Sequence, residues 1–97
     1  MLVGLSVFEL HLPYSRSLKD KRRVVKSLVD KIHQRFRVSV TETDFHDLHQ
    51  RAEISMAAVT NGEGEMENLM EAIRSLVENQ PEAFLTRWDP QILEGVR

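Results

Sequence analysis

A run of basic residues at the start of a predicted helix is the feature of this sequence best suited to binding chemistry. The stretch Ser17-Leu-Lys-Asp20 has the form of a helix start, in which Ser17 caps free amides and Asp20 reaches back as in a capping box. Cations in the first turn oppose the helix macrodipole by a few tenths of a kcal/mol each, so helix stability does not explain them. Together with free amides they can hold a phosphate or another anion. The predicted anion- or RNA-binding residues are Arg16, Lys19, Arg22, Arg23 and Lys26.

The distribution of charge along the chain supports this interpretation. The segment Arg16 to Arg37 carries nine Lys/Arg against two Asp, a net +7, whereas the other residues sum to −9 and the whole chain to −2. At 100° per residue Lys19 and Lys26 point outward, while Lys21 and Arg22 are expected to flank the buried stripe. The alternative is a solvated face whose lysine stems cover apolar surface.

Two histidines in a later polar loop, His46 and His49, form a weaker candidate site for a metal ion. Neutral imidazoles and neighbouring carboxylates ligate Zn²⁺ when they converge. The spacing fixes no third protein ligand, and the helical HExxH arrangement is absent. The alternative is an ordinary loop in which Arg51 pairs with an acidic neighbour, Asp44 or Glu42.

Several kinds of chemistry have no motif in this sequence. The chain has no Cys, which excludes a disulfide, a thiolate zinc site and a Cys nucleophile and favours an intracellular setting. It has no GxGxxG, no GxxxxGK and no nucleophile elbow, and Asn61-Gly-Glu-Gly64 is predicted to be a turn. Trp88 is expected to pack and not to stack on bases. The prediction is therefore a protein without catalytic residues or cofactor, and not an enzyme.

Six regular elements are predicted to position these residues. Alternating apolar residues indicate four strands, and apolar residues three, four and seven apart indicate two helices. The first strand is apolar on both faces, which is typical of a central strand. Pro90 cannot donate a ladder hydrogen bond, which places the last strand on an edge. The predicted elements are a strand from Leu2 to Leu12, a helix from Ser17 to Arg35, strands at Phe36 to Thr43 and Arg51 to Thr60, a helix from Glu63 to Asn79 and a strand from Phe84 to Leu93.

This order of elements predicts an α+β fold of ferredoxin-like βαββαβ topology. Two amphipathic helices would cover one face of a four-stranded antiparallel sheet. With right-handed crossovers the strand order is 4-1-3-2, and residues 1–97 form a single domain. The apolar stretch Met1 to Leu12 lacks a basic leader and a cleavage site and is too short to span a bilayer, so we expect a cytoplasmic protein without a membrane segment.

Three stretches of the chain resemble the YlxP-like family, a bacterial domain of unknown function. They are Ser17-Leu-Lys-Asp-Lys-Arg22, Val38-Ser-Val-Thr-Glu42 and Asp47-Leu-His-Gln-Arg-Ala52. The resemblance implies a ferredoxin-like fold and no established enzymatic activity. It also implies a genomic neighbourhood with translation-initiation and ribosome-maturation genes. His49 stands where the family is expected to have Trp.

The charge distribution, the predicted fold and the two histidines are compatible with three functions. The first is a non-catalytic module that binds RNA or the ribosome through the basic helix. The second is a homo-oligomeric interaction domain, formed as a homodimer through the open sheet face, on which Phe8 and Leu10 are expected. The third is a metal-assisted hydrolase that uses His46 and His49.

Overall fold

Six regular elements make up the computed structural model, which describes residues 1–94. The predicted order of strands and helices is confirmed, with most ends within two residues of the prediction. The second strand begins three residues later than predicted, because Phe36 to Val38 form an irregular connection. The elements are β1 (Leu2–His11), α1 (Leu18–Arg35), β2 (Ser39–Asp44), β3 (Arg51–Thr60), α2 (Glu63–Glu78) and β4 (Phe84–Glu94).

The four strands form one antiparallel sheet in the order β2-β3-β1-β4. This is the predicted order 4-1-3-2 read from the other edge, and it gives the chain a ferredoxin-like topology. The central strand β1 pairs along its whole length on both sides, so that Phe8 lies opposite Ile54 on β3 and Trp88 on β4. Pro90 lies on the edge strand β4, as its missing N–H predicted.

One face of the sheet forms the core with the two helices. Phe8, Leu10 and Ile54 are fully buried there, and α1 and α2 supply further buried residues such as Leu28 and Ile73. Trp88 packs on Phe8 with ring centroids 5.4 Å apart, which confirms its predicted packing role. The other fully buried apolar side chains are Leu12, Ile32, Ala52, Met66 and Val77.

Gly4 allows α2 to lie close to the sheet. A Cβ atom at this position would lie 2.3 Å from Sδ of Met66 and 2.6 Å from Cε of Met70. No real Cβ makes contacts this short, so the two methionine side chains occupy the space that the missing side chain leaves. No helix among residues 1–94 is long and apolar enough to cross a membrane.

The open face of the sheet carries a different set of residues from the one predicted. Phe8 and Leu10 lie on the helix face, and the prediction that they lie on the open face was wrong. The alternation within β1 was predicted correctly, but both of its faces are apolar, and alternation alone does not say which face the helices cover. The open face carries Val3, Leu5 and Val7, all half-buried.

Candidate nucleic-acid interface at the start of the first helix

The start of α1 is capped by its own side chains. Ser17 Oγ accepts a hydrogen bond from the Asp20 N–H at 3.1 Å, as predicted. The Asp20 carboxylate accepts from the Arg16 N–H at 3.0 Å, one residue earlier than in a regular capping box. This carboxylate already brings negative charge to the positive end of the helix. An additional anion at this position would therefore be held by side chains and not by the helix amides.

All five predicted binding residues are exposed, and two of them form ion pairs on the surface. Arg23 pairs with Glu82 at 3.1 Å and Lys26 with Asp30 at 2.7 Å, although their side chains remain 65% and 77% exposed. The hydrogen bond to Glu82 raises the pKa of Arg23 above its ordinary value. Exposed pairs of this kind contribute about 0–1 kcal/mol, so an anionic ligand can compete with the acidic partner.

The other three predicted residues, Arg16, Lys19 and Arg22, have no ion-pair partner within residues 1–94. On α1, Lys19 and Arg22 lie three residues apart and therefore on neighbouring positions of one helix face. Arg16 immediately precedes the N-cap. These three residues form, together with the paired Arg23 and Lys26, the basic ridge of the protein.

Lys21, which sequence reasoning missed as a key residue, is completely buried. Its Nζ atom donates to the carbonyl oxygens of Phe45 at 2.7 Å and Arg51 at 3.2 Å. Oε2 of Glu42 lies 3.0 Å from Nζ, but its direction is unsuited to a hydrogen bond, so this contact is an ion pair alone. Lys21 thus ties α1 to the connection between β2 and β3, and the prediction that it flanks the buried stripe was wrong.

The connection between β2 and β3 is held beside the helix start by further contacts. Phe45 has a φ of 62°, in the left-handed region that few non-glycine residues adopt, and the Arg51 guanidinium lies 3.8 Å from its ring centroid. Arg51 pairs with Glu9 at 3.2 Å, so the predicted pairing with Asp44 or Glu42 was wrong. The Gln50 side chain donates to the carbonyl of Ser15 at 3.2 Å. This connection and the one before α1 form a single packed corner.

The two histidines of this connection do not form a metal site with their neighbours. His46 Nε2 lies 3.3 Å from the backbone oxygen of Glu42, and His49 is exposed. Among residues 1–94 no group of three or more His, Asp or Glu side chains has the geometry to share a metal ion. The hypothesis of a metal-assisted hydrolase therefore has no geometric support.

Comparison with known proteins identifies the family of this chain. The chain is 27% identical over 81 residues to a Bacillus subtilis (strain 168) protein described as "Uncharacterized protein YlxP", an alignment that covers 84% of this chain and 88% of that protein. A de novo designed protein with a ferredoxin fold, solved by solution NMR, aligns with a TM-score of 0.48 and 14% identity over 100% of this chain and 88% of its own. Residues 3–89 match the family model described as "Protein of unknown function (DUF503)". The predicted YlxP-like resemblance is thus confirmed, and the chain belongs to the DUF503 family.

Proposed function

We propose that the protein is a non-catalytic cytoplasmic module that binds RNA or the ribosome through the basic ridge. The observation that supports this function best is that Arg16, Lys19 and Arg22 are exposed and have no ion-pair partner within residues 1–94. Exposed cations without an acidic partner can contact backbone phosphates without first breaking an internal ion pair. Contacts to phosphates supply affinity with little sequence specificity.

The separation of charge between the two helices adds to this argument. The acidic residues of α2 are exposed, and only Glu78 among them pairs with a cation of the described residues, Arg74. An anionic partner is attracted to α1 and repelled from α2, which orients the protein on it. The exposed acidic residues of α2 are Glu63, Glu65, Glu67, Glu71 and Glu78.

Binding of a structured RNA by the full chain, measured by filter binding across a salt series, tests this function. With three to five phosphate contacts, the plot of log K against log salt is expected to have a slope of about −2 to −4. The expected dissociation constant is about 10⁻⁴ to 10⁻⁶ M at physiological salt. Because the chain carries a net charge of −2, binding of this kind requires a local cluster of cations. Absence of binding at low salt would reject the proposal.

A second function, self-association through the open sheet face, is supported by a different observation. Val59 and Leu93 are 64% and 45% exposed on this face. They lie on either side of Val3 in the strand register, and with Leu5 and Val7 they form one apolar patch. Contiguous apolar patches on a protein surface commonly mark an interface. This function is compatible with RNA binding, because the basic ridge lies on the helix layer.

Light scattering over a range of protein concentrations tests self-association. A dimer is expected that dissociates on dilution, and Val59→Glu is expected to yield a monomer, because the patch would then have to bury a carboxylate. Leu48→Glu is the control, since Leu48 is 47% exposed but lies in the β2–β3 connection, off the sheet face. A monomer at all concentrations, or a dimer that Val59→Glu leaves intact, would contradict this function.

A further inference from the structure

Two aromatic side chains stay exposed next to each other at the end of the molecule where α1 begins. Tyr14, in the connection between β1 and α1, is 68% exposed, and Phe84, the first residue of β4, is 51% exposed. Their ring centroids are 6.4 Å apart and the rings are tilted by 58°. A single exposed apolar side chain is ordinary, but two neighbouring rings with free surface offer a larger apolar contact area.

The aromatic pair lies beside the basic ridge. Tyr14 lines the same small hollow as Asp20, Arg23 and Glu82. Arg16 follows Tyr14 by two residues, so their Cα atoms are at most about 7 Å apart. The two rings therefore lie at the same end of the molecule as the start of α1, and Arg16 and Arg23 are the cations of the ridge placed beside them.

We propose that the RNA ligand of this surface is single-stranded, with bases stacked on Tyr14 and Phe84 and phosphates held by the basic ridge. The proposal rests on the RNA-binding function proposed above and specifies its ligand. Surfaces that bind single strands combine cations for the backbone with aromatic rings for the bases. A duplex keeps its base faces stacked inside, so the two rings would gain nothing from contact with it.

The proposal separates the roles of the two parts of the surface. Stacking releases no counterions, so removal of a ring is expected to weaken binding without a change in its salt dependence. Removal of a cation is expected to change both the affinity and its salt dependence. The two rings also present π-faces that every base can use, which predicts little sequence preference among unpaired bases.

Fluorescence anisotropy with the full chain and two labelled probes tests the proposal. The probes are an unstructured oligouridine of about ten nucleotides and a fully paired RNA duplex of the same length, compared over a salt series that begins at low salt. The single strand is expected to bind about tenfold tighter than the duplex. Tyr14→Ala and Phe84→Ala are each expected to weaken single-strand binding by about 5- to 100-fold, at an unchanged salt slope.

Two control variants separate loss of stacking from loss of structure. Tyr14→Phe keeps the ring and is expected to recover most of the affinity that Tyr14→Ala loses. Leu48→Ala removes an exposed apolar side chain elsewhere and is expected to bind as the unmodified chain does. Equal affinity for both probes, with no effect of either alanine variant, would overturn the single-strand proposal and leave phosphate binding intact. If neither probe binds at low salt, the proposed RNA-binding function fails, and this proposal fails with it.

Discussion

Replacement of Lys21 by methionine is expected to lower the free energy of unfolding by about 3 kcal/mol. Methionine has a similar length, so the loss comes from polar contacts and not from a cavity. Nζ of Lys21 is the donor for the carbonyls of Phe45 and Arg51, and it neutralises the largely buried Glu42 carboxylate, whose side chain is 17% exposed. Without it one buried charge and two carbonyl groups lose their partner.

Urea unfolding followed by the fluorescence of Trp88 measures this change, because this single tryptophan packs on Phe8 in the core. Lys19→Met is the matched control: the same substitution two residues earlier, at an exposed position, is expected to change stability by about 0.5 kcal/mol at most. Combination of Lys21→Met with Glu42→Leu is expected to recover part of the loss, since the unpaired carboxylate is then removed. A loss below about 1 kcal/mol in the single variant would show that the buried contacts of Lys21 contribute little.

The three stretches that carry the family resemblance meet at this buried lysine. Lys21 belongs to the first stretch, Glu42 to the second and Arg51 to the third, and Lys21 contacts both of the others. Gln50, also in the third stretch, bonds to Ser15 just before α1. The presence of these residues in the three stretches is therefore explained by the stability of one corner of the fold. Lys19 and Arg22 lie in the first stretch but make no ion pair within the described part of the chain, so stability does not explain them.

The elements and their order were predictable because each has a clear local signal. The cap at Ser17 and the 3.6-residue repeat located α1, and the alternation in β3 placed Ile54 and Met56 on the core side. The side of β1 that faces the helices was not predictable in this way. Val3, Leu5 and Val7 are as apolar as Phe8 and Leu10 on the other face, and only the packing of the helices decides which set is covered.

The burial of Lys21 had a signal that could have been used. At 100° per residue Lys21 falls between Leu28 and Ile32, in the middle of the buried stripe of α1. Glu42 continues the inward alternation that begins with Val38, just before β2, and Val40 within it. A lysine within the apolar stripe of a helix and a glutamate on the apolar side of a strand together indicate a buried ion pair, since neither charge is tolerated alone.

Other contacts of the site depend on tertiary structure and had no local signal. The pairing of Arg23 with Glu82 joins residues 59 positions apart. The proximity of Tyr14 and Phe84 likewise follows from the pairing of β1 with β4, which places Phe84 opposite His11. Helical periodicity predicted which cations would be exposed, but not which of them would have acidic or aromatic neighbours.

Reversal of the three unpaired cations, by Arg16→Glu, Lys19→Glu and Arg22→Glu together, is expected to weaken RNA binding about 100-fold at 0.1 M salt. Each phosphate contact with a single strand contributes about −0.7 to the slope of log K against log salt. Loss of three contacts is therefore expected to make the slope about two units less negative. Three new carboxylates near the start of α1 suit the macrodipole, so the variant is expected to remain folded.

The matched control reverses Lys31, Arg35 and Arg37 instead. It changes the net charge by the same amount, but Arg35 lies about 24 Å along the helix from Lys19, beyond the roughly 10 Å over which charges act at this salt concentration. Binding that depends on net charge alone would fall equally in both variants, which would contradict a site at the start of α1. A large loss in the first variant with little change in the second would locate the phosphate contacts on the basic ridge, because the two proteins differ only in where the charge was reversed.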